Sequence, residues 1–563
     1  NKLSRCPPNE QVEAAGTTPG LQPQGNILVN KLHSVCLAGV SALALAGCGA
    51  SDVASPGTSG NVTINNPAAP APTPTPTPTS TLVTAAAGCP TISDPQGLTD
   101  GGTISGPTGS YRVCRLPSLI RASISLPRIT GLVYEMNGRV NVGCDGGFTA
   151  PTAAAPTTST TIGCTAPLTA DTNVTLTIAA GAIVFGGTGQ SWLAVNRGNK
   201  ISAVGTASQP VIFTSRDNIL GLNDDTSQGQ WGGVVLMGRG ITTDCRVGTV
   251  ASNTCERDTE GAADLARYGG RDNAYNAGRI SFAQIRFSGF VLGANSELQG
   301  LTTEGIGTGT VLDHIQIHNS SDDSAELFGG AINMNFFVAT GTDDDSLDVD
   351  TGAQANIQYA LLLPRPGRGD SLMEIDSNGN EADTPRTTLN LVNFVAVQQQ
   401  VSSDNEANGQ AAVFLRGNSD NTFANGLIIA PNNECIRMNG SGATPATLTA
   451  RSVVMQCNAT KFLGSGSYTA AQVAGFFGTG ANNNNDAFTN TLSGTGLYFN
   501  GANENALTAF NATALSSFFQ LPSPNRVGAA WTENNQWYVG WTCNSSTANF
   551  GSTSSACSSL PTT

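Results

Sequence analysis

Asp323-Ser-Ala-Glu326-Leu-Phe328, Asp345-Ser-Leu-Asp348-Val-Asp350 and Ser371-Leu-Met-Glu374-Ile-Asp376 are three versions of one phrase. Glu326, Asp348 and Glu374 recur at offsets of 22 and 26 residues. Within each copy, small or apolar residues alternate with acids at period two, which is the pattern of a strand with one buried face. Repetition at that length is the signature of one solenoid coil. Stacked coils superpose equivalent residues, so the same repeat predicts a fold and a vertical column of carboxylates.

Alternation assigns the faces. Ala325, Leu327, Leu347, Val349, Met373 and Ile375 point inward. Glu326, Asp348 and Glu374 form one outward column; Phe328, Asp350 and Asp376 form a second. The next copies, Val413-Phe-Leu-Arg416 and Cys435-Ile-Arg437-Met-Asn439, set Arg416 beside the second column, with Arg437 following. Neighbouring strands lie ~4.8 Å apart. Bare carboxylates at that spacing repel until one takes a proton or a cation bridges them. Calcium–oxygen distances of ~2.3–2.6 Å let one ion fit between adjacent rungs. Glu326, Asp348, Asp350, Glu374 and Asp376 are therefore candidate calcium ligands. Asp322, Asp323, Asp343, Asp344 and Asp345 add oxygens at the preceding turns. The rival reading is an acidic face that splays into solvent or pairs with Arg416 and Arg437.

The rest of the chain fits a solenoid. Of 563 residues 66 are Gly and only 12% are charged, a composition of many short strands joined by turns rather than of helices. Short β-rich runs follow one another from about residue 170, among them Val174-Thr-Leu-Thr-Ile178, Val211-Ile-Phe-Thr214, Ile315-Gln-Ile317 and Leu427-Ile-Ile429. A net charge of −14 argues against a nucleic-acid partner, which needs a basic face. The fold class expected is all-β: a right-handed parallel β-helix over residues 166–460, an N-terminal cap or lead-in over 85–165, and a C-terminal cap over 461–563. A β-sandwich does not explain the acid repeat. Trp531, Trp537 and Trp541 read as packing within the C-terminal region, with sugar stacking as the rival role.

The N-terminal segment reads as an address. Lys31 and a short apolar run from Val35 to Ala46 end in Leu45-Ala-Gly-Cys48. The run is shorter than the ~20 residues a membrane-spanning helix needs, and it has the order of a secretory signal. Its end resembles a bacterial lipobox, which implies lipid attachment at Cys48. Gly49 and Ala50 favour the outer membrane by the same resemblance. Residues 1–28 lack signal character and read as an upstream segment outside the translated protein; residues 29–47 read as the signal peptide. Residues 48–84, with alternating Pro and Thr from Pro70 to Pro78, read as a disordered tether. Fully extended it reaches roughly 100 Å. Apart from Cys6, Cys36 and Cys48, ten cysteines remain. They fall into local pairs: Cys89 with Cys114, Cys144 with Cys164, Cys245 with Cys255, Cys435 with Cys457 and Cys543 with Cys557. That is the spacing of disulfides made in an oxidising compartment.

Thr177-Ile-Ala-Ala-Gly181, Leu193-Ala-Val-Asn-Arg-Gly198, Pro210-Val-Ile-Phe-Thr-Ser215, Gly229-Gln-Trp-Gly-Gly233, Glu326-Leu-Phe-Gly-Gly330 and Trp537-Tyr-Val-Gly-Trp-Thr542 carry a resemblance. Together they resemble Gram-negative surface lipoproteins with pectate-lyase-like β-helices, over about residues 165–545. That resemblance implies architecture and location, and no reaction. Related β-helices include pectate lyases, which use calcium to hold a uronate and an Arg or Lys as base; by that likeness Arg416 is the first base candidate and Arg437 the second. The Gly-His-Gly and Arg-Ile-Lys motifs of polygalacturonases are missing. The first expectation is thus a lipid-anchored outer-membrane module that binds, with a polysaccharide or an outer-membrane transporter as partner and calcium as cofactor. A polysaccharide lyase is the second expectation, and a structural or adhesive surface protein the third.

Overall fold

The computed structural model describes residues 82–561 except 263, 294–295, 378–382, 402–410 and 535. Cys48, the signal peptide and the tether lie outside them. From residue 81 the chain forms one compact unit. Its strands alternate between two sheets, one of 15 strands and one of 11. In the repeat region Ala325–Phe328, Asp348–Asp350, Met373–Ile375, Val413–Leu415 and Ile436–Asn439 belong to the shorter sheet. Ala331–Thr340, Gln354–Leu363, Thr387–Val397, Ser419–Ala430 and Thr447–Cys457 belong to the longer one. Each strand pairs in parallel with its equivalent one coil away. The architecture is a parallel β-helix.

The inward residues explain why the coils stay in register. Leu301, Ala325, Leu347, Met373, Val413 and Ile436 stack as one wholly buried file. Leu327, Val349, Ile375, Leu415 and Met438 make the next. Burying one such side chain contributes ~1.5–3 kcal/mol, and a one-residue slip would send the whole file into solvent. On the long sheet, Phe394 lies so close to its register partner Gly426 on the next rung that a Cβ there would meet its ring at 2.0 Å. A glycine is needed at that rung because the ring takes the space.

Each long strand bends at a single left-handed residue that drops out of the pairing register: Phe282, His314, Phe336, Tyr359, Asn393, Asn425 and Ser452, with φ from 50° to 63°. That conformation is unfavourable for bulky side chains. Stacking offsets the strain: ring centroids lie 4.1 Å apart for Phe282–His314, 4.3 Å for His314–Phe336 and 5.0 Å for Phe336–Tyr359. Asn393 and Asn425 tolerate the bend as their residue type allows.

The solenoid starts before residue 166. Leu132–Met136 and Arg139–Val142 already pair with later coils in the two sheets, and the hairpin of Thr99–Gly106 with Gly109–Arg115 covers the first edge. Thr- and Ala-rich sequence between these strands hides the pattern. The C-terminal region does two things. Helix Ala470–Phe477, capped by Thr469 and Gln472, places Val473 and Phe477 in the core at the far end. The rest runs back along the outside of the long sheet. Gly528 donates to the Asn425 carbonyl, Asn393 to the Arg526 carbonyl and Gln358 to the Gln520 carbonyl. Gln316 both donates to and accepts from the Cys543 backbone. Gln284 donates to the Trp541 carbonyl, and Arg286 to the carbonyls of Cys557 and Ser559. Leu560 ends among Val83, Tyr111 and Phe185 of the first coils. The segment thus crosses the coils from Asn425 back to Phe185, though not in strict order, so it is a strap as well as a cap.

All five expected disulfides are present. Cys89 bonds Cys114 on the second hairpin strand, and Cys144 bonds Cys164 across the Thr-rich loop before the first long run of coils. Cys245 bonds Cys255, Cys435 bonds Cys457 and Cys543 bonds Cys557. No helix among the described residues is long and apolar enough to cross a membrane.

Candidate functional site

The outer face of the short sheet carries the predicted columns. Glu326 pairs with Asp348 and Asp348 with Glu374; Phe328 pairs with Asp350. Upstream, the first column continues through Thr302, Val235 and Ala194. Downstream it runs to Phe414 and then Arg437. The face changes from apolar to acidic to aromatic and basic along its length. An insertion closed by the disulfide of Cys245 and Cys255 covers the apolar part, where Tyr268 and Ala266 pack with Trp192, Val235, Met237 and Phe328. The carboxylates begin where that cover ends. One upstream acid, Glu304, lies beneath it; burial pushes its carboxyl up to about 8 while Thr259 Oγ1 donates to it at 2.7 Å.

The acids divide by what they touch. Arg416 Nη1 lies 2.8 Å from Glu374 Oε1 and 2.7 Å from Asp376 Oδ2. Arg257, on the insertion, stands 5.1 Å from the Phe328 ring centroid, 3.2 Å from Asp244 and 4.0 Å from Asp350. Asp350 also accepts from the Thr351 backbone, and Asp376 from that of Ser377 at 2.6 Å. Asp323, Glu326 and Asp348 are treated differently. Each offers an oxygen, all three within 4.8 Å of one another. Among the described residues no arginine or lysine forms an ion pair with any of them. Glu326 is 7% exposed and no donor to its carboxylate is found among the described residues; Asp348 Oδ1 is buried without a donor. Among the described residues Asp323 accepts only the Asp345 backbone N–H, at 2.9 Å. Asp322, Asp344, Asp345 and Asp370 extend the cluster along the turns.

Burial and mutual repulsion push Asp322, Asp323, Glu326, Asp345 and Asp348 well above the usual carboxylate range. Burial raises Asp376 and, against the pull of Arg257, Asp350. Burial acts on Glu374 too, but the Arg416 ion pair outweighs it and holds this carboxyl low. Three oxygens within 4.8 Å fit around one ion with ~2.3–2.6 Å bonds, and an all-carboxylate donor set suits a hard divalent cation. The sequence-derived ligand set thus splits: Glu326 and Asp348 meet Asp323, whereas Glu374, Asp376 and Asp350 face arginines.

The two base candidates also separate. Burial lowers the Arg416 guanidinium less than Asp376 and Glu374 raise it, so it is held protonated. A base must give up its proton first, which speaks against Arg416. Arg437 is lowered by burial, has no ion pair among the described residues, and lies 5.3 Å from the Phe414 ring centroid. The Arg368-Gly-Asp370 tripeptide buries Asp370 to 2% exposure and so does not present it as a receptor ligand. Trp531 and Trp541, both on the strap, are wholly buried against the coils, the packing role expected for them. The insertion, with Arg257, escaped the sequence reading; the pair of Cys245 and Cys255 marks it but does not say which face it covers.

Residues 157–542 match the family described as the pectate-lyase-like β-helix domain. The chain belongs to that family, whose fold fits a carbohydrate-related or surface role. No curated protein matches the chain.

Proposed function

We propose that this protein is a lipid-anchored module on the outer-membrane surface that binds through the acidic face of its β-helix, with one calcium ion held by Asp323, Glu326 and Asp348. The observation that carries the cation is the contrast within one face: these three carboxylates have no cationic partner among the described residues, while their neighbours have arginines. A divalent ion removes the repulsion that otherwise keeps protons on them. Binding then releases protons and weakens in acid. The lipid anchor rests on the Leu45-Ala-Gly-Cys48 lipobox, and the partner is a polysaccharide or an outer-membrane transporter.

Calorimetric titration of the purified protein with calcium chloride tests the cation. Heat of binding, with proton release read from buffers of different ionisation enthalpy, is expected. No heat at millimolar calcium and no change in melting temperature would sink the reading. Mass spectrometry of the membrane-extracted protein tests the anchor, expecting a diacyl or triacyl mass on a chain that starts at Cys48.

One observation favours a second reading, a calcium-dependent polysaccharide lyase. Arg437, with a lowered pKa and a ring beside it, sits on the same face as the carboxylates. That reading requires unsaturated products from a uronate polymer, abolished by Arg437→Ala and retained in Arg416→Ala. Retention of the polymer without turnover keeps the binding module.

A further inference from the structure

The position of Arg416 suggests more than a partner for two acids. Its Nη1 touches Glu374 and Asp376 at 2.8 and 2.7 Å, one oxygen from each outward column. Those lengths exceed a calcium–oxygen bond by only a few tenths of an ångström. Asp350, the third acid there, feels Arg416 as well. One nitrogen therefore stands where a bound ion would stand, between two carboxylates of one rung, with Asp350 on the neighbouring rung. Arg257 reaches the same part of the face from the other side, over Phe328 and towards Asp350. Among the described residues nothing equivalent serves Asp323, Glu326 and Asp348; Glu326 lies nine-tenths buried with no donor to its carboxylate, and Asp348 Oδ1 is buried without a partner.

We infer that Arg416 is a resident counter-ion: its guanidinium fills a second cation position between Glu374, Asp376 and Asp350 and confines exogenous divalent cation to the Asp323–Glu326–Asp348 corner. This rests on the cation reading above and adds which residue sets the number of ions. A guanidinium is tethered, carries one charge and does not exchange, so it offsets part of the charge of this half of the face at any calcium concentration. The face then has one fixed half and one half that responds to the medium.

The test is the count of calcium ions bound, by equilibrium dialysis and calorimetry, in the parent and in Arg416→Gln. The variant is expected to bind one ion more than the parent, the extra site being lost again in Arg416→Gln/Asp376→Asn. The turn carboxylates Asp322, Asp344, Asp345 and Asp370 are the same in both proteins, so the difference isolates the Arg416 position. An equal count in a folded Arg416→Gln overturns the inference while leaving the cation reading intact. A parent that binds none beside a variant that binds one sinks the cation reading and the confinement to that corner, and keeps only Arg416 as occupant of the second position; no binding in either sinks both. Should Arg416→Gln not fold, Glu374→Gln and Asp376→Asn decide: the inference requires the parent count in each, and the loss of an ion from either overturns it.

Discussion

Two outer faces of the same coils are finished in opposite ways. On the long sheet beyond the bend, Val338, Leu361, Val395 and Leu427 face out and are buried by the strap, together with Trp541, Tyr538 and Phe550. The polar groups that accompany them are matched, Gln284, Gln316 and Arg286 each by strap backbone. On the short sheet the outward residues include carboxylates of raised pKa, and those of one corner have no cationic partner among the described residues. Identical coil geometry underlies both. The difference lies in where free energy is placed: the strapped face stabilises the solenoid, and the acidic face carries repulsion that a ligand can relieve. Substitutions should therefore have opposite signs on the two faces.

The largest effect belongs under the strap. Trp541→Ala removes a wholly buried indole that packs edge-on to Phe282 and His314 and should cost about 3–5 kcal/mol, measured as a shift in urea midpoint. Acid should loosen the same face. His318, buried beside Arg286 and Arg365, is pushed from 6.5 down to about 3 by burial first and by those cations second. A histidine held neutral in the fold binds its proton more readily when unfolded. Its share of stability is present above the unfolded value and is lost as pH falls from 6.5 towards 3. The loss is roughly 3–5 kcal/mol over that window, and His318→Gln should flatten this part of the stability curve.

Smaller effects sharpen the contrast. Replacing Cys543 and Cys557 by serine opens a short loop inside the strap and should cost ~2–4 kcal/mol in chemical unfolding. On the acidic face Asp348→Asn should do the reverse. It removes one of three crowded carboxylates and raises calcium-free stability by about 1 kcal/mol, while abolishing the gain in melting temperature on adding calcium. Loss of stability in the calcium-free variant would show that Asp348 is already satisfied, and the comparison between the faces would fail.

What the sequence made legible follows from period. Alternation at 326–328, 348–350 and 374–376 projects directly onto strand faces, and the near-constant offset sets the register, so both columns and the place of Arg416 could be read. Whether Arg416 serves as base or counter-ion depends on where a long side chain lies, which alternation does not encode. The bends at Phe282, Phe336 and Tyr359 were hidden because a left-handed conformation leaves no mark on a bulky residue; only the stack that supports it is diagnostic. The strap was hidden for a related reason. Its contacts are backbone carbonyls meeting side chains such as Gln316, Asn393 and Arg286 far earlier in the chain, and an Asn- and Ser-rich segment without periodicity reads equally as a cap. The cover over the upstream part of the face needed the path of the 245–268 insertion, which local spacing does not supply.

The most direct test of the acidic face is a crystal structure of the protein grown with calcium at neutral pH, with the ion located by anomalous scattering. The account predicts a peak bonded to Asp323, Glu326 and Asp348 oxygens at ~2.3–2.6 Å, with Arg416 still on Glu374 and Asp376. No ion at that corner in crystals holding millimolar calcium, or an ion that displaces Arg416 instead, would contradict it.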